Sequence, residues 1–227
     1  MSDISLNVEP GEFLAIVGKV GSGKSSILLA AMNEMVKISG EVKKNGKVAF
    51  IQQEAFLLND TIKDNILFGE PYDEAWFNKV LDICQLRPDL ETLAAGIQTE
   101  IGEKGINLSG GQKQRISIAR AVYNRCDIYL IDDSLSALDA YVGKKIMEEV
   151  FNGVLRGKTR IMVTNYLNIL EDENVINRVV LVKEGKIVQN GKYSQIRQTH
   201  EWREFSDSNQ SDNSGKTQQE STQEMNT

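Results

Sequence analysis

A glycine-rich run that ends in lysine and serine spans residues 18–25 and reads GKVGSGKS. It fits the pattern GxxxxGK[ST], in which the glycines let the backbone curl so that several N–H groups face phosphate oxygens. The N-terminus of a following helix adds further donors. We expect Lys24 to reach the β- and γ-phosphates and the hydroxyl of Ser25 to hold Mg²⁺. The run therefore predicts a nucleoside triphosphate site that is contacted by Gly18, Val20, Gly21, Ser22, Gly23, Lys24, Ser25 and Ser26.

The residues on either side of this run favour a functional loop over a glycine-rich turn with no role. Phe13–Val17 is a short, continuous apolar run of the kind that is buried in parallel sheets. Residues 26–36 carry apolar side chains that favour a helix. A strand, a loop and a helix in this order are the context that the phosphate-binding pattern requires.

Composition and charge limit the classes of protein to consider. The 227 residues are enough for one core with a subdomain, and their composition is that of an ordinary globular protein. The net charge of −6 and the scattered lysines argue against nucleic-acid binding, which usually uses a concentrated basic surface. No apolar run approaches the ~18 residues of a membrane span, and no secretory signal opens the chain. Cys84 and Cys126 lie far apart without metal-ligand spacing, so we expect free thiols in a reducing, cytosolic compartment.

Strand-like and helix-like patterns alternate along the chain and predict an α/β domain over residues 1–204. Between about 71 and 108, helical patterns at 73–84 and 87–95 predict an inserted helical subdomain, and a further helix is expected at 111–123. The predicted strands lie at residues 4–8, 13–17, 128–131, 160–164, 179–182 and 186–189, with two short strands within 41–52 around a turn at 45–46. From residue 205 onward polar residues dominate, so we expect a disordered tail over 205–227.

A second motif distinguishes among the many proteins that share a phosphate-binding loop. The run Leu108-Ser109-Gly110-Gly111-Gln112 resembles the signature of ATP-binding cassette (ABC) proteins, and it stands ahead of a strand-like run that ends in Asp132. Gln53 is similar to the Q-loop glutamine of that family, and residues 136–139 are similar to its D-loop. Over nearly its whole ordered length the chain therefore resembles a nucleotide-binding domain of an ABC transporter.

The resemblance implies a fold and a set of ligands. The fold would be a P-loop NTPase cassette with a mixed sheet core, an antiparallel edge sheet and an inserted helical subdomain, and the cofactors would be ATP and Mg²⁺. Asp132 would hold Mg²⁺ through water, since Mg²⁺ keeps a largely hydrated octahedral shell. Gln53 would ligand Mg²⁺ and sense the γ-phosphate. The signature residues that would bind the γ-phosphate of a second cassette are Ser109, Gly110, Gly111 and Gln112.

Narrower features resemble one branch of this family. Residues 61–69 and 99–105 are similar to exporter-type cassettes, the second segment being the one that touches the membrane domains. Residues 121–123 and 132–139 are most similar to the first cassette of the multidrug-resistance-associated (C) subfamily. The resemblance implies an ATPase at the cytoplasmic face of a membrane that couples ATP binding and hydrolysis to transport. Its partners would be transmembrane domains and a second cassette.

Two positions depart from the pattern of a hydrolysing cassette. Asp133 stands where the family places the glutamate that polarises the attacking water, and it is one methylene shorter. Asn165 stands where the family places a switch histidine, and an amide cannot carry a proton. The one histidine, His200, lies near the polar end of the chain. The catalytic residues would be Asp133, Gln53 and Asn165. Because general-base catalysis contributes ~10²–10⁴ in rate, we expect a site that binds ATP but hydrolyses it slowly.

The departures leave two other functions open. One is an ATP-gated regulatory cassette of a channel or receptor complex, in which bound ATP sets a conformation without turnover. The other is a soluble ABC protein of DNA repair or translation, which the exporter-type segments disfavour.

Two further features shape what we expect of this chain. Cassettes of this family stack adenine on an aromatic side chain before the phosphate loop, but Phe13 is the only aromatic residue ahead of Gly18 and is expected in the core. Stacking is worth ~1–3 kcal/mol, so we expect weak ATP binding by the isolated chain. A transporter also needs membrane-spanning helices, so we expect a fragment, an excised domain or a truncated product.

Overall fold

A six-stranded sheet forms the centre of the computed structural model, which describes residues 1–102 and 107–208. The strands are β1 (Phe13–Val17), β2 (Val48–Ile51), β3 (Ile128–Asp132), β4 (Thr159–Val163), β5 (Arg178–Lys183) and β6 (Lys186–Gly191). Their order across the sheet is β2-β3-β4-β1-β5-β6, with β1 to β5 parallel and β6 antiparallel to β5. The mixed α/β fold is confirmed, and the antiparallel part of this sheet is the single edge strand β6.

Burial on both faces explains why β1 reads as a continuous apolar run. All five of its residues are buried, and they divide between two apolar clusters on opposite faces of the sheet. Phe13, Ala15 and Val17 belong to the larger cluster, whereas Leu14 and Ile16 face the smaller one. This is the pattern of a central parallel strand with helices on both sides.

Helices cover the two faces of the sheet and form most of the segment between β2 and β3. They are α1 (Lys24–Met32), α2 (Ile62–Leu67), α3 (Glu74–Ile83), α4 (Arg87–Thr92), α5 (Gly110–Tyr123), α6 (Ala140–Lys145), which continues as a π-helix (Ile146–Val154), α7 (Tyr193–Ile196) and α8 (residues 200–208). Helices α2 and α3 pack on α5, so the helical stretch expected at 71–108 already begins at α2. None of the described helices is both long enough and apolar enough to cross a bilayer.

The structure corrects the two strand predictions at residues 4–8 and 41–44, neither of which forms a strand. Leu6 and Val8 are half-buried against the smaller apolar cluster, so the alternating pattern reflects side-chain packing without a hydrogen-bonded ladder. The turn at 45–46 does not close a hairpin either. The carbonyl of Lys47 accepts from the backbone N–H groups of Asp127 and Ile128, which directs the chain into parallel pairing with β3.

The expected start of the polar tail, residue 205, falls inside helix α8. Trp202 and Phe205 are buried and contact each other edge to face, with ring centroids 5.3 Å apart. Tyr193 of α7 packs on Trp202 at the same centroid distance. These aromatic contacts supply the apolar burial that keeps residues 205–208 in the folded part, while residues 209–227 lie outside the described residues.

Candidate nucleotide-binding site

The parallel strands bring the predicted site residues to one edge of the sheet. Gly18 follows β1, Asp132 ends β3, Asn165 lies two residues after β4, and Gln53 lies two residues after β2. Since the carboxyl ends of parallel strands share one edge, ligands bind in the crevice there. The pairing of β1 with β4 extends to this edge, where the N–H of Thr164, directly after β4, donates to the carbonyl of Ile16 in β1 at 3.1 Å.

The phosphate loop has a backbone that requires glycine. Gly23 has a φ of 99° at the N-cap of α1, and Gly18 has a φ of 154°. A Cβ on Gly18 would lie 2.3 Å from the carbonyl oxygen of Val182 and 2.7 Å from Ser22 Oγ. The loop therefore lies directly on strand β5, which explains why its first position carries no side chain.

A Gly18→Ala substitution is expected to destabilise the fold by about 1–3 kcal/mol, because its methyl group would collide with fixed backbone. Gly21→Ala is the matched control, since Gly21 also has a positive φ, 77°, but its Cβ would meet nothing within 4 Å. Urea unfolding of both variants measures the difference. Equal losses of unfolding free energy would contradict the close approach of the loop to β5.

Lys24 lies folded over the loop that it follows. Its Nζ donates to the carbonyls of Gly18 at 2.7 Å and Lys19 at 3.0 Å. Burial lowers the pKa of Lys24, whereas the nearby charges of Asp133 and Asp132 raise it. The ammonium is thus held beside the loop amides, where it can exchange its carbonyl contacts for phosphate oxygens.

Ser22 adds a polar group that suits the same ligand. Its residue is buried, and its Oγ has no hydrogen-bond partner within the described part of the chain. A buried hydroxyl without a partner is costly, so a ligand that accepts a hydrogen bond here is favoured. A phosphate oxygen satisfies this requirement, and the residues of the loop therefore fit ATP.

Ser25 and Asp132 form the part of the site that suits Mg²⁺. Ser25 Oγ donates to Asp132 Oδ1 at 2.8 Å, which joins the phosphate loop to the end of β3 across 107 residues of sequence. Both groups offer oxygen ligands, the kind that Mg²⁺ prefers. Burial raises the pKa of Asp132, the hydroxyl of Ser25 lowers it, and the charge of Asp133 raises it further. A cation placed between these residues would relieve the cost of the buried carboxylate.

The raised pKa of Asp132 predicts a stability that depends on pH. The folded protein binds a proton at this carboxyl more readily than the unfolded chain, so stability falls as the pH rises from the unfolded pKa through the folded one. Asp132→Asn is therefore expected to raise the melting temperature at pH 7 without nucleotide, and the gain should shrink at acid pH. Thermal melts from pH 4 to pH 8, made without Mg²⁺, measure this. A gain that grows at acid pH would contradict the assignment.

The structure brings the two departing positions into direct contact. Asn165 Nδ2 donates to Asp133 Oδ2 at 2.9 Å, and the Asn165 backbone N–H lies 3.3 Å from Asp133 Oδ1. Asp133 is buried and has a φ of 42°, in the left-handed region. Its own N–H donates to the carbonyl of Val163, and its carbonyl accepts from Ser136 Oγ at 2.7 Å. Both carboxylate oxygens of Asp133 thus face donors on Asn165.

The signature residues lie at a different part of the same edge. Ser109 caps α5 by accepting from the N–H of Gln112 at 3.2 Å, and Gln112 Oε1 accepts from the N–H of Ser109 at 2.9 Å. Helix α5 packs beside β2, whereas the phosphate loop follows β1. Three inter-strand spacings, roughly 14 Å, separate these two strands. Ser109, Gly110 and Gly111 therefore begin a helix on the β2 side of the sheet, away from the strand that leads into the loop of Lys24.

The contacts of three further predicted residues with a nucleotide stay predictions. Gln53 and Val20 are exposed, and Ser26 is half-buried. Sequence reasoning missed Gln114, a fully buried glutamine whose Nε2 donates to the carbonyl of Gln52 at 3.0 Å and so anchors the chain just before Gln53. A polar side chain on the inward face of α5 is the signal that could have identified it.

Comparison with known proteins identifies the family. The family model described as "ABC transporter" matches residues 1–136, which include the phosphate loop, the signature and Asp132. The chain belongs to the ABC transporter family. Membership confirms the predicted ATP-binding, ATPase-type cassette fold.

Similar members of the ABC transporter family carry C-subfamily or multidrug-resistance names. The chain is 48% identical over 198 residues to ATP-binding cassette sub-family C member 2 of Mus musculus, covering 86% of this chain and 13% of that protein. Multidrug resistance protein mrp-7 of Caenorhabditis elegans is also 48% identical, with the same coverage of both chains. ABC transporter C family member 8 of Dictyostelium discoideum is 49% identical over 86% of this chain and 12% of its own length. The resemblance to the C subfamily is confirmed, and the chain spans about an eighth of these relatives.

Proposed function

We propose that this cassette binds Mg²⁺ and ATP and acts as the engine part of an exporter-type transporter at the cytoplasmic face of a membrane. Lys24, Ser22 and the loop amides bind the phosphates, Ser25 and Asp132 hold Mg²⁺, and bound ATP draws a second cassette onto this edge. The name of one relative, multidrug resistance protein mrp-7 of Caenorhabditis elegans, supports the exporter class. Motion would pass to transmembrane domains through the region of Gln53. Residues 103–105 of the predicted membrane-contact segment lie outside the described residues.

The contact between Asp133 and Asn165 is the observation that supports a weakly hydrolysing site. A general base must reach the attacking water, but both carboxylate oxygens of Asp133 face donors on Asn165. The aspartate is also one methylene shorter than glutamate, so its oxygens lie closer to the backbone. We propose that ATP in this site is held and only slowly hydrolysed.

The signature completes the other half of the proposal. Ser109 and the amides that follow it begin a helix of 14 residues, and a helix N-terminus favours an anion. Their distance from Lys24 leaves them available to the γ-phosphate on a partner cassette. The chain carries an unaltered signature, but aspartate and asparagine replace the family's glutamate base and switch histidine. This combination predicts an asymmetric pair of cassettes, in which the partner's nucleotide is the one hydrolysed.

Retention of the γ-phosphate on this cassette tests the proposal. In the assembled transporter, photoactivatable ATP labelled at either the α- or the γ-phosphate is incubated under turnover conditions and then crosslinked. We expect this cassette to keep both labels, while the partner cassette keeps the α-label and loses the γ-label. Loss of the γ-label from both cassettes at the same rate would contradict the asymmetric pair.

The same contact favours a second candidate, an ATP-gated regulatory cassette of a channel or receptor complex. A site that holds ATP without cleaving it can set a conformation by binding alone. Comparing the response of the assembled protein to ATP and to a non-hydrolysable analogue separates the two functions. A regulator responds fully to the analogue, whereas an exporter stops after one cycle.

A further inference from the structure

Asp89 lies on α4, outside every motif discussed above, and its carboxylate joins that helix to the signature. Its Oδ1 accepts from Gln112 Nε2 at 3.2 Å and from Arg115 Nη2 at 3.1 Å. Arg115 Nη2 also approaches Oδ2 to 2.8 Å. The side chains of this ion pair are only 13% and 18% exposed, so solvent screens it far less than the other ion pairs of the helical segment.

The two partners of Asp89 each hold one side of the signature backbone. Gln112 receives the N–H of Ser109 on its amide oxygen while its amide nitrogen donates to Asp89. Arg115 Nε donates to the carbonyl of Gly111 at 3.3 Å, and its Nη1 donates to the carbonyl of Gln85 at 2.6 Å. The Asp89 carboxylate therefore hydrogen-bonds directly to the two side chains, Gln112 and Arg115, that contact the backbone of Ser109 and Gly111.

We propose that Asp89 is a positioning residue that presents the signature to the partner's γ-phosphate. By holding the Gln112 amide it fixes which end of that amide faces Ser109, and so it fixes the direction of the Ser109 N–H and hydroxyl. The inference rests on the proposed function, because only that function gives the signature a γ-phosphate to bind. The positioning itself concerns only contacts within this chain.

The chemistry of the amide explains why a fixed end matters. A free glutamine side chain can rotate so that either its oxygen or its nitrogen faces the helix start, and only the oxygen can accept from the Ser109 N–H. The carboxylate accepts only from the nitrogen, so it selects the orientation that keeps the cap. A displacement of α4 would therefore move the Asp89 carboxylate and, through it, the Gln112 amide that holds the Ser109 N–H.

Amide hydrogen exchange of the whole chain, followed by NMR without nucleotide, tests the positioning. Asp89→Ala is expected to speed exchange of the Ser109 and Gln112 amides by about five- to tenfold, the effect of losing a helix cap, while amides of the phosphate loop keep their wild-type rates. Asp89→Asn keeps an acceptor oxygen for Gln112 and should stay within twofold of wild type. Asp82→Ala is the matched control, because Asp82 pairs with Arg87 and makes no contact with α5 that the structure records.

The outcomes separate positioning from a general packing role. Wild-type rates at both amides in Asp89→Ala would overturn the proposal, as would equal acceleration in the Ala and Asn variants, which would assign the effect to the Arg115 ion pair. Gln112→Ala offers a second route if Asp89→Ala folds poorly. It should speed Ser109 exchange by about five- to tenfold by itself while the amides of the phosphate loop keep their wild-type rates, and a wild-type rate at Ser109 in this variant would contradict the link.

A binding measurement keeps this inference distinct from the proposed function. All variants at position 89 are expected to bind Mg²⁺ and ATP with wild-type affinity, since Asp89 does not touch the loop at 18–25. If the wild-type chain binds no ATP, the proposed function fails while the exchange rates still decide the role of Asp89. If ATP binds and the exchange rates do not change, only the inference fails.

Discussion

Replacing Asp133 by Glu and Asn165 by His in the assembled transporter is expected to raise single-turnover hydrolysis at this site by ~10²-fold or more. Glutamate extends the carboxylate by one methylene toward the attacking water. Histidine removes the amide that donates to Asp133 Oδ2 and supplies a group that can carry a proton. The rate is measured by rapid quench with ATP labelled at the γ-phosphate.

Comparison of Asp133→Glu with the double variant separates the contributions of the two positions to the slow turnover. Asp133→Glu alone leaves the Asn165 amide in place, so we expect a smaller gain than in the double variant. The Lys24→Met substitution in the same background provides the blank. If the double variant hydrolysed ATP at the wild-type rate, the account of a degraded base and switch would be wrong.

Loss of Lys24 is expected to have the largest effect on binding. Lys24→Met keeps the length of the side chain but removes the ammonium, whose hydrogen bonds to charged phosphates are worth about 1.5–3 kcal/mol each. The affinity for Mg²⁺ and ATP should fall by about 10- to 100-fold, as measured by titration calorimetry. The fold also loses the bonds from Nζ to the carbonyls of Gly18 and Lys19, so a thermal melt must show that the variant is folded.

Lys19→Met is the matched control for this prediction. Lys19 lies in the same loop and is exposed, and the bond to its carbonyl involves backbone that the substitution leaves in place. We expect its affinity to stay within a fewfold of the wild-type value. Equal losses in the two variants would indicate a general effect of positive charge rather than a specific contact from Lys24.

Local patterns predicted the parts of this protein that depend on local sequence. The strand, loop and helix around residues 18–25 were predictable from an apolar run, a set of glycines and a run of helix-forming residues. Each of these signals depends only on residues that are close in sequence. The burial of β1 on both faces likewise follows from its continuous apolar run. The position of Asp132 at the end of β3 was predictable for the same reason.

Contacts that depend on the sheet order could not be predicted from the sequence. The bond between Asp133 and Asn165 joins residues 32 apart and exists because β3 and β4 are neighbours in register. The strand predicted at residues 4–8 is wrong for a related reason. An alternating pattern indicates a half-buried face but does not supply a partner strand. Asp89 and Gln114 went unnoticed because their partners lie on other elements, and no short motif marks them.

Mg²⁺-ATP binding and single-turnover hydrolysis by the purified chain, with Lys24→Met as the blank, show whether this site binds ATP and hydrolyses it only slowly. We expect the wild-type chain to bind ATP through Lys24 and to show no appreciable turnover, because Asn165 holds the Asp133 carboxylate. Brisk turnover that Asp133→Ala abolishes would show that Asp133 suffices as the base, and it would contradict the weakly hydrolysing site.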